Sequence, residues 1–145
     1  MHPWITSDGK QLYFSRKTKD GWRVCVALRK DAAGPQGFGE PKLVKELPVG
    51  FHHATLMPNN KVMYVQGPLP KDRWGLFRST LNGDMWSDPE PLGDLNDPEA
   101  PKGDLSPNLS RDGKTLFFAS DRAGGKGGLD IWMIPTAGLG AKKEK

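Results

Sequence analysis

The sequence contains a single cysteine, so no disulfide can form within the chain. Cys25 stands in the apolar run Val24-Cys25-Val26-Ala27 and reads as core filler rather than as a nucleophile. No apolar stretch approaches the ~18 residues of a membrane-spanning helix. The first residues, Met1-His2-Pro3-Trp4, show neither the basic region nor the apolar core of a secretory signal. There is no strong excess of one charge. The net charge is +4, half of it carried by Lys142, Lys143, Glu144 and Lys145, which leaves a mildly basic body and gives no argument for nucleic acid. Helix-compatible sequence is scarce as well. The 18 glycines and 13 prolines make up about a fifth of the 145 residues, against a usual ~12%, and helix interiors tolerate neither. A helical bundle is thereby excluded. Disorder is excluded too, despite a mean hydropathy of −0.60, because 36% of the residues are hydrophobic even before glycine is counted.

What the sequence does have is an internal repeat. His2-Pro-Trp-Ile-Thr-Ser-Asp-Gly-Lys-Gln-Leu-Tyr-Phe14, His53-Ala-Thr-Leu-Met-Pro-Asn-Asn-Lys-Val-Met-Tyr-Val65 and Ser106-Pro-Asn-Leu-Ser-Arg-Asp-Gly-Lys-Thr-Leu-Phe-Phe118 align residue for residue. Asp8-Gly9, Asn59-Asn60 and Asp112-Gly113 are turn dipeptides that tolerate positive φ. Each is followed by a lysine and then by an apolar run holding Tyr13, Tyr64 or Phe117. Further on, Trp22-Arg-Val-Cys-Val26, Trp74-Gly-Leu-Phe-Arg78 and Leu129-Asp-Ile-Trp-Met133 correspond. A fourth element, aromatic-x-x-Pro-x-x-aliphatic, occurs twice, from Phe38 to Val44 and from Trp86 to Leu92.

Each unit therefore reads as four short strands, A to D. The B runs are apolar continuously, which calls for burial on both faces. Strand D contains proline, which donates no ladder bond and belongs at an edge. A four-stranded sheet every ~50 residues, stacked between like sheets, is a propeller blade. The expected fold is all-β, with three tandem blades at about 2–47, 53–95 and 106–135, the last lacking its outer strand. Residues 1–136 form this partial β-propeller, and 137–145 a flexible basic tail.

Residues 106–133, and less closely the two earlier units, resemble the WD40-like (PD40) β-propeller repeat of TolB-like propellers. The second unit departs from it, with Asn59-Asn60 in place of Asp-Gly and Pro70-Lys-Asp-Arg in place of the Gly-Gly loop. The resemblance implies a ring of usually six or more blades, often in the bacterial periplasm or envelope, and implies no activity, because propellers host unrelated functions. Three blades do not close a ring, and their end sheets would expose apolar faces. The remaining blades come from a longer chain, or two copies form a six-bladed homodimer. The compartment is left open by the absence of a signal in these residues.

The candidate chemistry is sparse. His52-His53 are neighbours on a strand, expected to point to opposite faces and not to share a metal ion, so neither metal nor cofactor is expected. Gly124-Gly-Lys-Gly-Gly128 lacks the Lys-Ser/Thr of a phosphate loop and reads as a B–C loop. Asp121 and Asp130 bracket it and are expected to accept bonds from loop backbone N–H groups. Asp8, Gly9, Asp112 and Gly113 are structural turn residues. The segment Ser110-Arg-Asp-Gly-Lys-Thr resembles a sialidase Asp box one residue short. Tyr13 and Tyr64 read as core, and no G-x-S-x-G nucleophile elbow is present. Trp22, Trp74, Trp86 and Trp132 recur at repeat-equivalent places and read as packing. Trp4 stands opposite the polar Thr55 and Asn108 near the channel, which makes Trp4 and the neighbouring His53 the candidate ligand-binding residues.

The B–C and D–A loops of a blade share one face. Arg16, Lys17, Lys19, Lys71, Arg73, Arg122 and Lys126 outweigh the acids of the B–C loops, while Glu46, Asp94, Asp97, Glu99 and Asp104 dominate the D–A loops. A face of mixed sign suits a protein partner and not a nucleic-acid groove. The functional expectation is a non-catalytic scaffold that binds a protein or an envelope component through this face. The alternative is part of a carbohydrate-binding or glycan-processing propeller.

Overall fold

The computed structural model describes residues 1–29 and 37–140. They form three antiparallel sheets and no helix. The first sheet has the order β1 (Trp4–Ile5), β2 (Gln11–Thr18), β3 (Gly21–Leu28), β4 (Lys42–Leu43). The second runs β5 (His52–Leu56), β6 (Val62–Leu69), β7 (Arg73–Asn82), whose far edge pairs with both β8 (Met85–Trp86) and β9 (Glu90–Pro91). The third has β10 (Asp104–Leu109), β11 (Thr115–Ser120) and β12 (Asp130–Pro135), with no fourth strand among the described residues. Each sheet is one repeat. The fold is a partial β-propeller of three blades, the last without its outer strand.

The turns explain why the A and B strands pair. Gly9, Asn60 and Gly113 have φ of 69°, 56° and 71° at the same repeat position. Asp8 accepts the Lys10 N–H and the Thr6 hydroxyl, and Asp112 accepts the Lys114 N–H and the Ser110 hydroxyl, all at 2.6–3.0 Å. Asn59 accepts the Lys61 N–H at 3.0 Å, but Met57 stands where the other turns have Thr6 or Ser110, so the second turn has no hydroxyl to add.

Two apolar clusters fill the seams between sheets. The first holds Tyr13, Val24, Val44, Leu47, Leu56, Met63, Val65 and Trp86. The second holds Tyr64, Leu76, Leu92, Leu95, Leu109, Leu116 and Phe118. The continuous apolar B run is buried on both faces only in the middle blade, where Met63, Tyr64 and Val65 are all at most 2% exposed. In the end blades burial alternates. Tyr13 and Phe118 are buried, whereas Phe14 and Phe117 are half-buried on the outward face. That face carries Ile131 and Met133 on one end sheet and Ile5 and Leu43 on the other, all exposed. Residues Ala137 to Gly140, expected as the start of a flexible tail, turn back on the body. Leu139 packs against the second cluster, and the Gly140 carbonyl accepts a long 3.4 Å bond from Arg78. The rest of that tail lies outside the described residues.

Candidate functional site: a histidine and tryptophan cluster under the loop face

The first residue of each aligned repeat has a left-handed backbone: His2 at φ 54°, His53 at 57° and Ser106 at 51°. In β5 this is a bulge, the register shifting between His52 and Thr55, and in β10 it shifts between Leu105 and Asn108. Two residues then oppose one on the partner strand. The extra residue turns its N–H across the seam to the preceding blade. His53 donates to Ser15 Oγ at 2.9 Å, and Ser106 donates to Gln66 Oε1 at 2.8 Å. Ser15 and Gln66 are repeat equivalents at the end of the B run.

This bulge overturns one expectation. His52 and His53 do not point to opposite faces: their ring centroids lie 4.6 Å apart, and the His2 ring stands 3.3 Å from that of His53. Strand alternation holds for a regular strand, and the left-handed residue removes it. Among the described residues no group of three His, Cys, Asp or Glu side chains is placed to hold a metal ion.

His52 is 5% exposed and fully engaged. Its Nδ1 lies 2.8 Å from the Gly50 carbonyl, which can only accept, so Nδ1 carries the proton. The bare Nε2 then accepts from the Gln66 amide nitrogen at 3.2 Å. One chain of bonds thus runs from Gly50 through His52 and Gln66 to the Ser106 N–H, joining the second blade to the third. Trp22 stacks on the His52 ring at 5.5 Å and Trp74 meets it edge-on at 4.8 Å. Burial lowers the pKa of His52, and lowers that of His53 to about 3 with help from the neighbouring His2 and His52. Burial also lowers that of His2. All three rings are neutral at neutral pH.

The predicted ligand-binding residues lie at this inner end. Trp4 packs against both apolar clusters, and its Nε1 is buried without a partner. His53 is half-buried, and its Nδ1 is likewise buried and unpaired. Asp130 accepts the N–H of Lys126 within its own loop at 2.7 Å. Asp121 instead reaches the preceding D–A loop, accepting the Lys102 N–H on both oxygens at 3.0 Å.

The D–A and B–C loops are knitted into one surface. Gly50 N–H bonds the Trp22 carbonyl at 2.9 Å, Trp74 N–H bonds that of Lys102 at 2.9 Å, and Arg73 reaches the carbonyls of Asp97 and Pro98. A Cβ on Gly103 would collide with the Trp74 carbonyl oxygen, so this crossing requires glycine. Beneath it Arg122 forms a 2.6 Å ion pair with Asp104, which is 1% exposed. Arg122 also bonds the Leu95 carbonyl and Ser120 Oγ, and lies over the Phe118 ring at 4.8 Å. Sequence reasoning missed this pair and the Ser15/Gln66 position. The signal for the latter was present, as a polar residue closing two apolar runs at the same repeat position.

Comparison with solved structures places the fold. The chain superposes on TolB from Acinetobacter baumannii with a TM-score of 0.65 at 13% identity, over 96% of this chain and 30% of that one. It superposes on a protein assigned as TolB from Agrobacterium tumefaciens with a TM-score of 0.60 at 20% identity, over 92% of this chain and 42% of that one. The chain thus spans less than half the length of these structures. No family model and no curated protein matches the sequence.

Proposed function

We propose that these blades are a non-catalytic scaffold that binds a protein partner, or another envelope component, through the loop face. The observation that carries this reading is the continuity of that face. Backbone bonds between successive loops hold the exposed Lys19, Lys71, Lys102 and Lys126 and the acidic residues around them on one rigid support, and fixed charges of both signs give registry to a protein partner. The neutral, mutually satisfied His52–Gln66 core under it reads as support rather than as acid-base machinery. The end sheets, with Ile131 and Met133 at one side and Ile5 and Leu43 at the other, are faces for further blades, supplied by a longer chain or by a second copy.

The test is capture from an envelope extract with the wild-type chain and with a Lys19→Glu/Lys71→Glu/Lys126→Glu variant, beside a Lys114→Glu control at the opposite, A–B turn end. A specific partner should be lost from the loop-face variant and kept by the control. Equal recovery by all three would refute the reading. A rise in thermal stability with soluble glycans and no protein recovered would favour carbohydrate binding. Sedimentation decides the homodimer: a monomer that stays folded rules it out.

A further inference from the structure

The two seams differ at three equivalent positions on the loop face. In the repeat alignment Gly21 corresponds to Arg73, Val49 to Lys102 and Pro68 to Asp121. The second seam is polar and closed there. Arg73 donates to the carbonyls of Asp97 and Pro98, and Asp121 accepts the Lys102 N–H on both oxygens at 3.0 Å. A carboxylate from the following blade thus caps the D–A loop.

The first seam keeps the backbone crossing and loses the cap. Gly50 N–H bonds the Trp22 carbonyl at 2.9 Å, at the place where Gly103 bridges Trp74. The Val49 side chain lies over Gly21, where a Cβ would stand 2.8 Å from Val49 Cγ1, and Gly50 lies against the Pro68 ring. The proline side chain offers no acceptor. Among the described residues the Val49 N–H has none. Val49 is 41% exposed, and Pro48 and Pro68 beside it are exposed too. An apolar step and an uncapped donor therefore share one spot. Exposed lysines flank it, Lys17 and Lys19 just before Gly21 and Lys71 in the turn after Pro68, and they outnumber Asp20 and Asp72 in the same turns. Both sheets that frame the spot have their outer strands in place.

We infer that the loop-face end of the first seam binds an acidic segment of a protein partner, in which a carboxylate stands next to a bulky apolar residue. The carboxylate takes the Val49 N–H, as Asp121 takes that of Lys102, with Lys19 and Lys71 on either side. The apolar side chain rests on Pro48, Val49 and Pro68. Charge complementarity selects the acidic segment, and Asp94, Asp97 and Glu99 on the next D–A loop repel it and so confine it to the first seam. This rests on the loop-face reading and names the chemistry of the partner.

The probe is the peptide Ser-Glu-Asp-Leu-Glu-Gly-Ser, titrated into the full chain labelled with nitrogen-15 and followed by amide shifts. Saturable shifts are expected at residues 17–22, 49–50 and 69–72. Replacing the acids of the peptide by their amides, or its leucine by serine, should weaken binding about tenfold or more. Pro68→Asp, which restores the internal cap of the second seam, should abolish it, and Val49→Lys should do the same; circular dichroism checks that both variants fold. The inference is overturned by absence of saturable shifts, by shifts centred on 94–103 or 121–130, by equal affinity for the altered peptides, or by unchanged binding to a folded Pro68→Asp variant. Capture from envelope extract separates this failure from that of the broader reading. If Pro68→Asp recovers the partner as wild type does while the Lys19→Glu/Lys71→Glu/Lys126→Glu variant loses it, only the present inference falls. If the lysine variant recovers it as well, both fall.

Discussion

Arg122 shows how much a single side chain carries in this molecule. It neutralises the buried Asp104 while bonding the D–A loop of the preceding blade, and Asp104 in turn accepts the Asp97 N–H at 2.8 Å. Arg122→Met would leave the Asp104 carboxylate buried without its cation, at a cost of about 3–5 kcal/mol. Urea unfolding of the variant should show that loss, and Asp104→Leu added to it should recover most of it. The histidines make a second prediction. Each has a folded pKa below its unfolded value, so the unfolded chain binds more protons below about pH 6.5. The stability that the neutral rings contribute is full above that pH and is lost as pH falls. The melting temperature should therefore drop between pH 7.5 and 5. His53→Asn, which keeps a residue tolerant of φ 57°, should flatten that drop. An unchanged slope would show that His53 is not held neutral.

At the level of elements, the three A–B turns share a backbone but not surroundings. Gly9 has open space around its missing Cβ, whereas a Cβ on Gly113 would lie 2.5 Å from Cδ of Pro58 in the neighbouring blade. Gly9→Ala should cost about 1–2 kcal/mol for its left-handed backbone alone. Gly113→Ala should cost more, because the turn must also shift away from the seam. Asn60 adopts the same backbone with its side-chain oxygen buried and unpaired. Asn60→Gly should thus stabilise by about 1 kcal/mol, by removing an unsatisfied acceptor. Thermal melts of the three variants give the ranking. These turns, and the blades they define, were legible in the sequence because a turn dipeptide and an apolar run are local signals that recur. The site was less legible. His52 and His53 were misplaced because a bulge is set by pairing with β6 and not by the residues of β5. The Asp104–Arg122 pair joins positions that have no repeat counterpart to reveal them.

For the whole molecule, stacking sets the order in which parts open. A blade in an array is stabilised by its own pairing and by the neighbours on each face. The middle blade has two neighbours and the end blades one each, which is why Met63, Val65 and Leu76 are fully buried while Phe14 and Phe117 are not. Exposing the middle B strand requires both seams to part, and this amounts to global unfolding. Releasing β12 or β4 breaks a single ladder at an edge. Native-state hydrogen exchange should therefore show the slowest amides in β6 and the adjoining half of β7, exchanging with the free energy of complete unfolding. The amides of β12 should exchange far faster, through local opening that denaturant hardly affects. Arg122→Met should speed β10 and β11 more than β2 and β3, because the ion pair ties the third blade to the loop before it and touches nothing in the first. Uniform protection across all three sheets would mean that the seams do not act as separate units, and that the molecule opens only as one.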